Sequence, residues 1–195
     1  LVLKLVNAAA FAGKKPVTKI GEAVTRIGIN NIKAIILAVS IFSGKIGYGG
    51  GIDFNSLHTH AFTVARCSRR LAESEGLPPW SQDMIFLAGL LHDIGRREGV
   101  TGMRHTYDGY RFLIAQGYDD AARICLTHSF PDRNSNAIFG KWDCAPDELA
   151  FLQGYIAQCV YTDYDRLLQL CDAIAMDIGF VLMEKRLVDV ILRYG

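Results

Sequence analysis

Phe86-Leu-Ala-Gly-Leu-Leu-His-Asp-Ile-Gly-Arg96 is the stretch on which the reading of this 195-residue chain turns. An apolar run leads straight into an adjacent histidine and aspartate, His92 and Asp93. Ser81 reads as the cap of this segment, and Met84, Leu87, Leu90 and Leu91 recur at helical spacing. Gly95, Gly99 and Gly102 end the pattern and open a loop. The segment is therefore a helix that delivers an imidazole and a carboxylate at its end. Such a pair is either a helix cap with a hydrogen bond or part of a site.

Outward from that helix the periodicity stays helical. Asp53 or Ser56 opens a long helix to about Glu75, closed by Gly76 and Pro78-Pro79. Leu57, Ala61, Val64, Ala65, Leu71 and Ala72 share one of its faces. Helices are expected from about Thr106 to Gln116, from Asp119 to about His128, near Leu149 to Gln158, over Tyr164–Met176 and over Phe180–Tyr194. Residues 130–146 read as an ordered loop. Toward the N-terminus, helices are expected at Leu1–Phe11, from Thr18 to about Ile27, and from Asn30 or Asn31 to about Phe42. Residues 43–51 hold five glycines in nine positions, the best linker candidate in the chain. No alternating strand pattern exceeds four residues. The expected fold class is all-α.

Composition narrows the function classes. Half the residues are apolar and 21% are charged, with a formal net charge of +1. That is a folded globular balance, and the total does not call for nucleic acid as a partner. The charge is uneven. Residues 1–50 carry seven basic side chains against Glu22 alone, a surplus of six, so the remainder is net negative by five. The basic residues are scattered, which reads as a solvated face. The longest apolar stretch, Ala34–Phe42, is about half of the ~20 residues a bilayer span needs. No signal peptide is visible, and five widely spaced cysteines without a Cys-x-x-Cys pattern read as reduced core residues. The expected location is cytoplasmic, with no membrane association. The chain opens at Leu1 inside a helical pattern, so further residues are expected ahead of it in the full protein.

All five histidines fall within residues 58–128. His60 sits between Leu57, Ala61 and Val64 on an apolar face, and His58 looks to the other side. His105 stands at a loop-to-helix junction, and His128 ends its helix after Ile124 and Leu126. Asp172 lies inside the apolar run Leu167–Ala175. A single histidine on an apolar face is most often a satisfied core residue. A carboxylate there is costly unless paired or metal-bound. Inward-facing groups on several helices of a bundle can converge. Neutral imidazoles and carboxylates suit iron, manganese, nickel, cobalt or zinc.

The ordered set His60, His92-Asp93 and Asp172 resembles the HD superfamily of metal-dependent phosphohydrolases, whose pattern is H…HD…D. His60-Ala-Phe-Thr-Val-Ala65 looks like that family's first-histidine helix, and Leu170-Cys-Asp172-Ala-Ile-Ala like its final aspartate helix. His105-x-x-x-Gly109 and Thr127-His128 look like the extra histidines of members that hold two metals. The resemblance covers about residues 54–176. A second one covers residues 1–43. Leu5-Val-Asn7-Ala-Ala-Ala-Phe11, Ile20-Gly-Glu-Ala23-Val and Ile27-Gly28-Ile29-Asn-Asn-Ile32 resemble the HDOD domain, a signalling relative in which many members lack the ligands. This chain departs from that type in keeping them. It departs from the HD-GYP phosphodiesterases as well. Ser129 stands where their paired histidine would be and no Gly-Tyr-Pro follows, which disfavours cyclic-di-GMP.

The resemblance implies an HD-type helical bundle over residues 53–195, a linker or loop at 44–52 and HDOD-like helices at 1–43. It implies that His60, His92, Asp93 and Asp172 hold one divalent metal, and that His105 and His128 hold a second with Asp93 bridging. Iron or manganese is expected first, with nickel, cobalt, zinc or magnesium also compatible. The implied activity is hydrolysis of a phosphate ester, of a nucleotide or another small molecule, by a metal-activated water. Asp93 and Arg96 are the expected catalytic residues, Arg96 as the phosphate donor, with Arg97 and Arg104 weaker candidates. The alternative is an HDOD-type signalling module without catalysis, which meets a partner or a second copy through the N-terminal helices. Thr127 and Ser129 are candidate supporting hydrogen-bond partners of His128. Asp163 and Asp165 read as helix caps. Tyr107, Tyr110, Phe112 and Tyr118 read as core or rim.

Overall fold

A computed structural model describes residues 54–99, 101–138, 142–176 and 178–194. The N-terminal helices, the glycine-rich stretch and the side chain of His58 lie outside the described residues. Within them the protein is all-α, with one minimal β-hairpin. In chain order the elements are α1 (Phe54–Ser74), α2 (Pro79–Leu91), a 3-10 turn (Ile94–Glu98), α3 (Arg104–Ala115), α4 (Asp119–Thr127), α5 (Pro146–Gln158), α6 (Asp163–Ile174), β1 (Ala175–Met176), β2 (Gly179–Phe180) and α7 (Met183–Tyr194).

The apolar face of α1 does what its spacing predicts. Ala61, Val64, Ala65 and Ala72 are fully buried, and α1 packs most extensively on α2. One core joins Val64 and Cys67 of α1, Ile85 of α2, Ile124 of α4 and Leu168 and Cys171 of α6. A second joins Leu126 and Phe130 to Leu152 and Ile156 of α5, flanked by Tyr107, Tyr110 and Trp142. Each large aliphatic side chain in these cores contributes about 1.5–3 kcal/mol by leaving water. Tyr107 and Tyr110 both lie against Phe151, so these aromatics belong to packing. All five cysteines are free, and four of them are buried.

Three boundaries differ from the sequence reading, each for a physical reason. Helix α2 begins at Pro79 behind Pro78, before Ser81. Proline's fixed φ suits a first helical position, where its missing N–H costs nothing. Ser81 is buried inside the helix and its Oγ accepts from the Tyr164 hydroxyl. Helix α3 begins at Arg104 because a distant residue, Asp143, accepts hydrogen bonds from the N–H groups of Gly102 and Arg104 (2.5 and 2.8 Å). The expected helices to Met176 and from Phe180 instead meet in the hairpin, with Ala175 opposite Phe180 and Met176 opposite Gly179. Gly179 takes φ 113°, a backbone conformation that side chains resist.

Candidate metal centre

Five helices and the turn after α2 bring the candidate ligands together. Helix α1 carries His60 and α6 carries Asp172. His92 caps the C-terminal end of α2 and Asp93 opens the 3-10 turn. His105 lies in the first turn of α3, and His128 caps the end of α4. Close packing explains Gly95, the second glycine of the opening stretch. A Cβ there would stand 1.9 Å from the His105 carbonyl oxygen and 2.5 Å from the Gly109 nitrogen. Only a residue without one lets the turn that follows Asp93 press onto the start of α3.

Three of the histidines are oriented by one device. His92 Nδ1 donates to the Gly89 carbonyl (2.6 Å) and His105 Nδ1 to the Gly102 carbonyl (2.6 Å). His128 Nδ1 donates to the carbonyls of Cys125 (3.0 Å) and Ile124 (3.1 Å). A carbonyl only accepts, so each Nδ1 carries its proton. In the neutral ring the lone pair is then on Nε2, and it is Nε2 that faces the carboxylates. This is how proteins set a histidine for metal binding.

The distances define two overlapping groups. His60 Nε2 lies 3.0 Å from Asp172 Oδ1, and His92 Nε2 lies 3.6 Å from the same oxygen. His105 Nε2 and His128 Nε2 lie 3.2 and 3.6 Å from Asp93 Oδ1, and 3.4 Å from each other. His92 Nε2 is 3.9 Å from Asp93 Oδ2, so His92 stands between the two groups. The six sequence-predicted ligands thus converge. His92, Asp93, His105 and His128 are buried, while His60 and Asp172 are partly open to solvent.

Two atoms make the arrangement chemically specific. His92 Nε2 and Asp93 Oδ1 are buried without a hydrogen-bond partner. Leaving such atoms unsatisfied costs about 1–3 kcal/mol each. Both point into the cluster, and a divalent cation would satisfy both. Nitrogen and carboxylate oxygen in this mixture fit a transition metal.

The charges agree with that fit. Burial alone would raise the Asp93 carboxyl, but Arg96, then His92 and His105, hold it well below the carboxylate range. Burial is likewise outweighed at Asp172, where His60 and His92 hold the carboxyl low. His92 is pushed up to about 9: burial opposes its proton, but Asp93 and Asp172 overcome that. The opposite holds at His105, which burial and then the Arg96 charge push down. The two ionised carboxylates therefore draw positive charge into the cluster.

Of the basic candidates, Arg96 reaches the cluster and donates from Nε to Asp93 Oδ2 (2.8 Å). Arg97 pairs with Glu98 and lies over the Phe112 ring, and Arg104 pairs with Glu148. Both are committed to the fold. Asp165 completes a capping box with Thr162 at the start of α6. It also accepts from Arg123 (2.7 Å) and from Thr127 Oγ1 (2.8 Å), the residue before His128. Asp143 was not legible as a supporting residue. Its partners Gly102 and Arg104 precede it by about forty residues, and no local spacing links them.

The sequence model of the HDOD domain matches residues 1–147, and the chain belongs to that family. The match runs through the glycine-rich stretch and includes five of the six candidate ligands; Asp172 lies beyond it. No curated protein and no solved structure matches the chain.

Proposed function

We propose that this HDOD-family chain is a metal-dependent phosphohydrolase or phosphodiesterase that acts on a phosphate ester, of a nucleotide or another small molecule. One observation carries the reading: His92, His105 and His128 turn Nε2 toward Asp93 and Asp172, with two buried polar atoms there left without partners. His60, His92, Asp93, His105, His128 and Asp172 would hold the metal, iron or manganese first. A bound divalent metal supplies a water of lowered pKa and polarises phosphoryl oxygens. The chain's own part is to hold six ligands rigid, and to place the Arg96 guanidinium beside Asp93, where its partly exposed face meets an incoming phosphate.

A second reading is supported by the family match. HDOD proteins are often signalling modules, so the chain would serve as a binding or regulatory domain without catalysis. Its contacts would then run through the N-terminal helices, to a partner or a second copy. Elemental analysis, followed by a phosphate-release screen over a nucleotide library, separates the two. The enzyme reading expects bound metal and release from at least one ester. Protein that stays inert after loading with manganese or iron leaves the signalling reading.

A further inference from the structure

Arg96 does more at the cluster than stand at its edge. Its Nε donates to Asp93 Oδ2 at 2.8 Å, and its Nη2 lies 3.4 Å from His105 Nε2. The proton on His105 Nδ1 is fixed by the Gly102 carbonyl, so His105 Nε2 is an acceptor. The guanidinium is thus anchored on Asp93 Oδ2 and meets the lone pair of His105, while Asp93 Oδ1, the oxygen facing His105 and His128, keeps no hydrogen-bond partner. The His105 lone pair is a group that a second metal ion in the Asp93–His105–His128 group would need. Among the described residues no cation is recorded at the other end of the cluster, where His60 and His92 flank the Asp172 oxygen. An ion beside His105 would have to break the Arg96 contact, and it would sit against a fixed positive charge in a buried setting, where like charges repel strongly.

We propose that Arg96 is the resident cation of the second position and limits the centre to one tightly held metal ion, bound among His60, His92, Asp93 and Asp172. The guanidinium supplies the positive charge that a second ion would bring, anchored to Asp93. This rests on the metal reading above and deepens it. It makes Arg96 the residue that sets metal number, as well as a phosphate donor.

The test is a metal count on the full chain, stripped with a chelator and titrated with Mn²⁺. Calorimetry and elemental analysis give the stoichiometry, and circular dichroism checks the fold. The wild type is expected to hold one ion per chain. Arg96→Met and Arg96→Gln, which remove the charge, are expected to take up a second ion with affinity raised about tenfold or more. Adding His105→Ala to either variant is expected to remove that second ion. A wild type that already holds two ions tightly overturns the proposal without any variant, and leaves the metal reading intact. Variants that stay at one ion overturn it in the same way. A wild type that binds none overturns both.

Discussion

Asp172 Oδ1 on α6 stands 3.0 Å from His60 Nε2 on α1, although 112 positions separate the two residues. The contact closes the cluster. It joins the first helix that carries a candidate ligand to the last one, and it brings the partly open Asp172 carboxylate within 3.6 Å of buried His92. Both ends of the candidate domain are therefore needed for one site.

His92→Ala and Asp93→Ala should each abolish metal retention. Losing a partner that merely supports a ligand costs about 10–100-fold in metal affinity or activity, and losing a ligand costs at least as much. Metal content after gel filtration, read beside phosphate release, checks this. Retention of full metal by His92→Ala would remove His92 from the ligand set.

Gly95→Ala tests the seat of His105. The added Cβ would meet backbone atoms, which cannot swing away as a side chain can. A destabilisation of about 3 kcal/mol is expected, read as a shift in the urea midpoint. The variant should also bind metal more weakly, because the displaced turn opens at Asp93.

Asp165→Ala removes a buried carboxylate with four donors: Arg123, the Thr162 N–H and hydroxyl, and the Thr127 hydroxyl. Arg123 then loses its carboxylate partner, and α6 loses its capping box. The expected loss is about 2–4 kcal/mol, measured by thermal or urea unfolding. Asp165→Asn should recover part of it, since its one remaining oxygen can still accept from a subset of these donors.

Stability of the protein in chelator should fall at both ends of the pH scale. Burial opposes it, yet Arg123, Thr162 and Thr127 hold the Asp165 carboxyl below its ordinary 3.8. A lowered folded-state value means stability that is complete above 3.8 and lost as pH falls through the folded value. His92 runs the other way. Its folded value of about 9 lies above the ordinary 6.5, so its contribution is complete below 6.5 and lost as pH rises through about 9. Urea midpoints measured across this range check both limbs. His92→Ala should flatten the alkaline limb and leave the acid limb contributed by Asp165.

Much of this protein could be read from its order of residues. Apolar spacing marked α1, α3, α4 and α6 to within a few positions, because a helix repeats locally and buries one face. The candidate ligands stood out one by one, His60 and Asp172 as polar groups on apolar helical stretches and His92, Asp93 and His128 at helix ends, and the family resemblance joined them into one set. Tertiary structure decided the rest. The pairing of His60 with Asp172, the Asp143 cap on α3 and the grip of Arg96 on both Asp93 and His105 are through-space relations set by how helices pack. Local periodicity says which face a helix buries. It does not say which residues, many turns away along the chain, will meet that face.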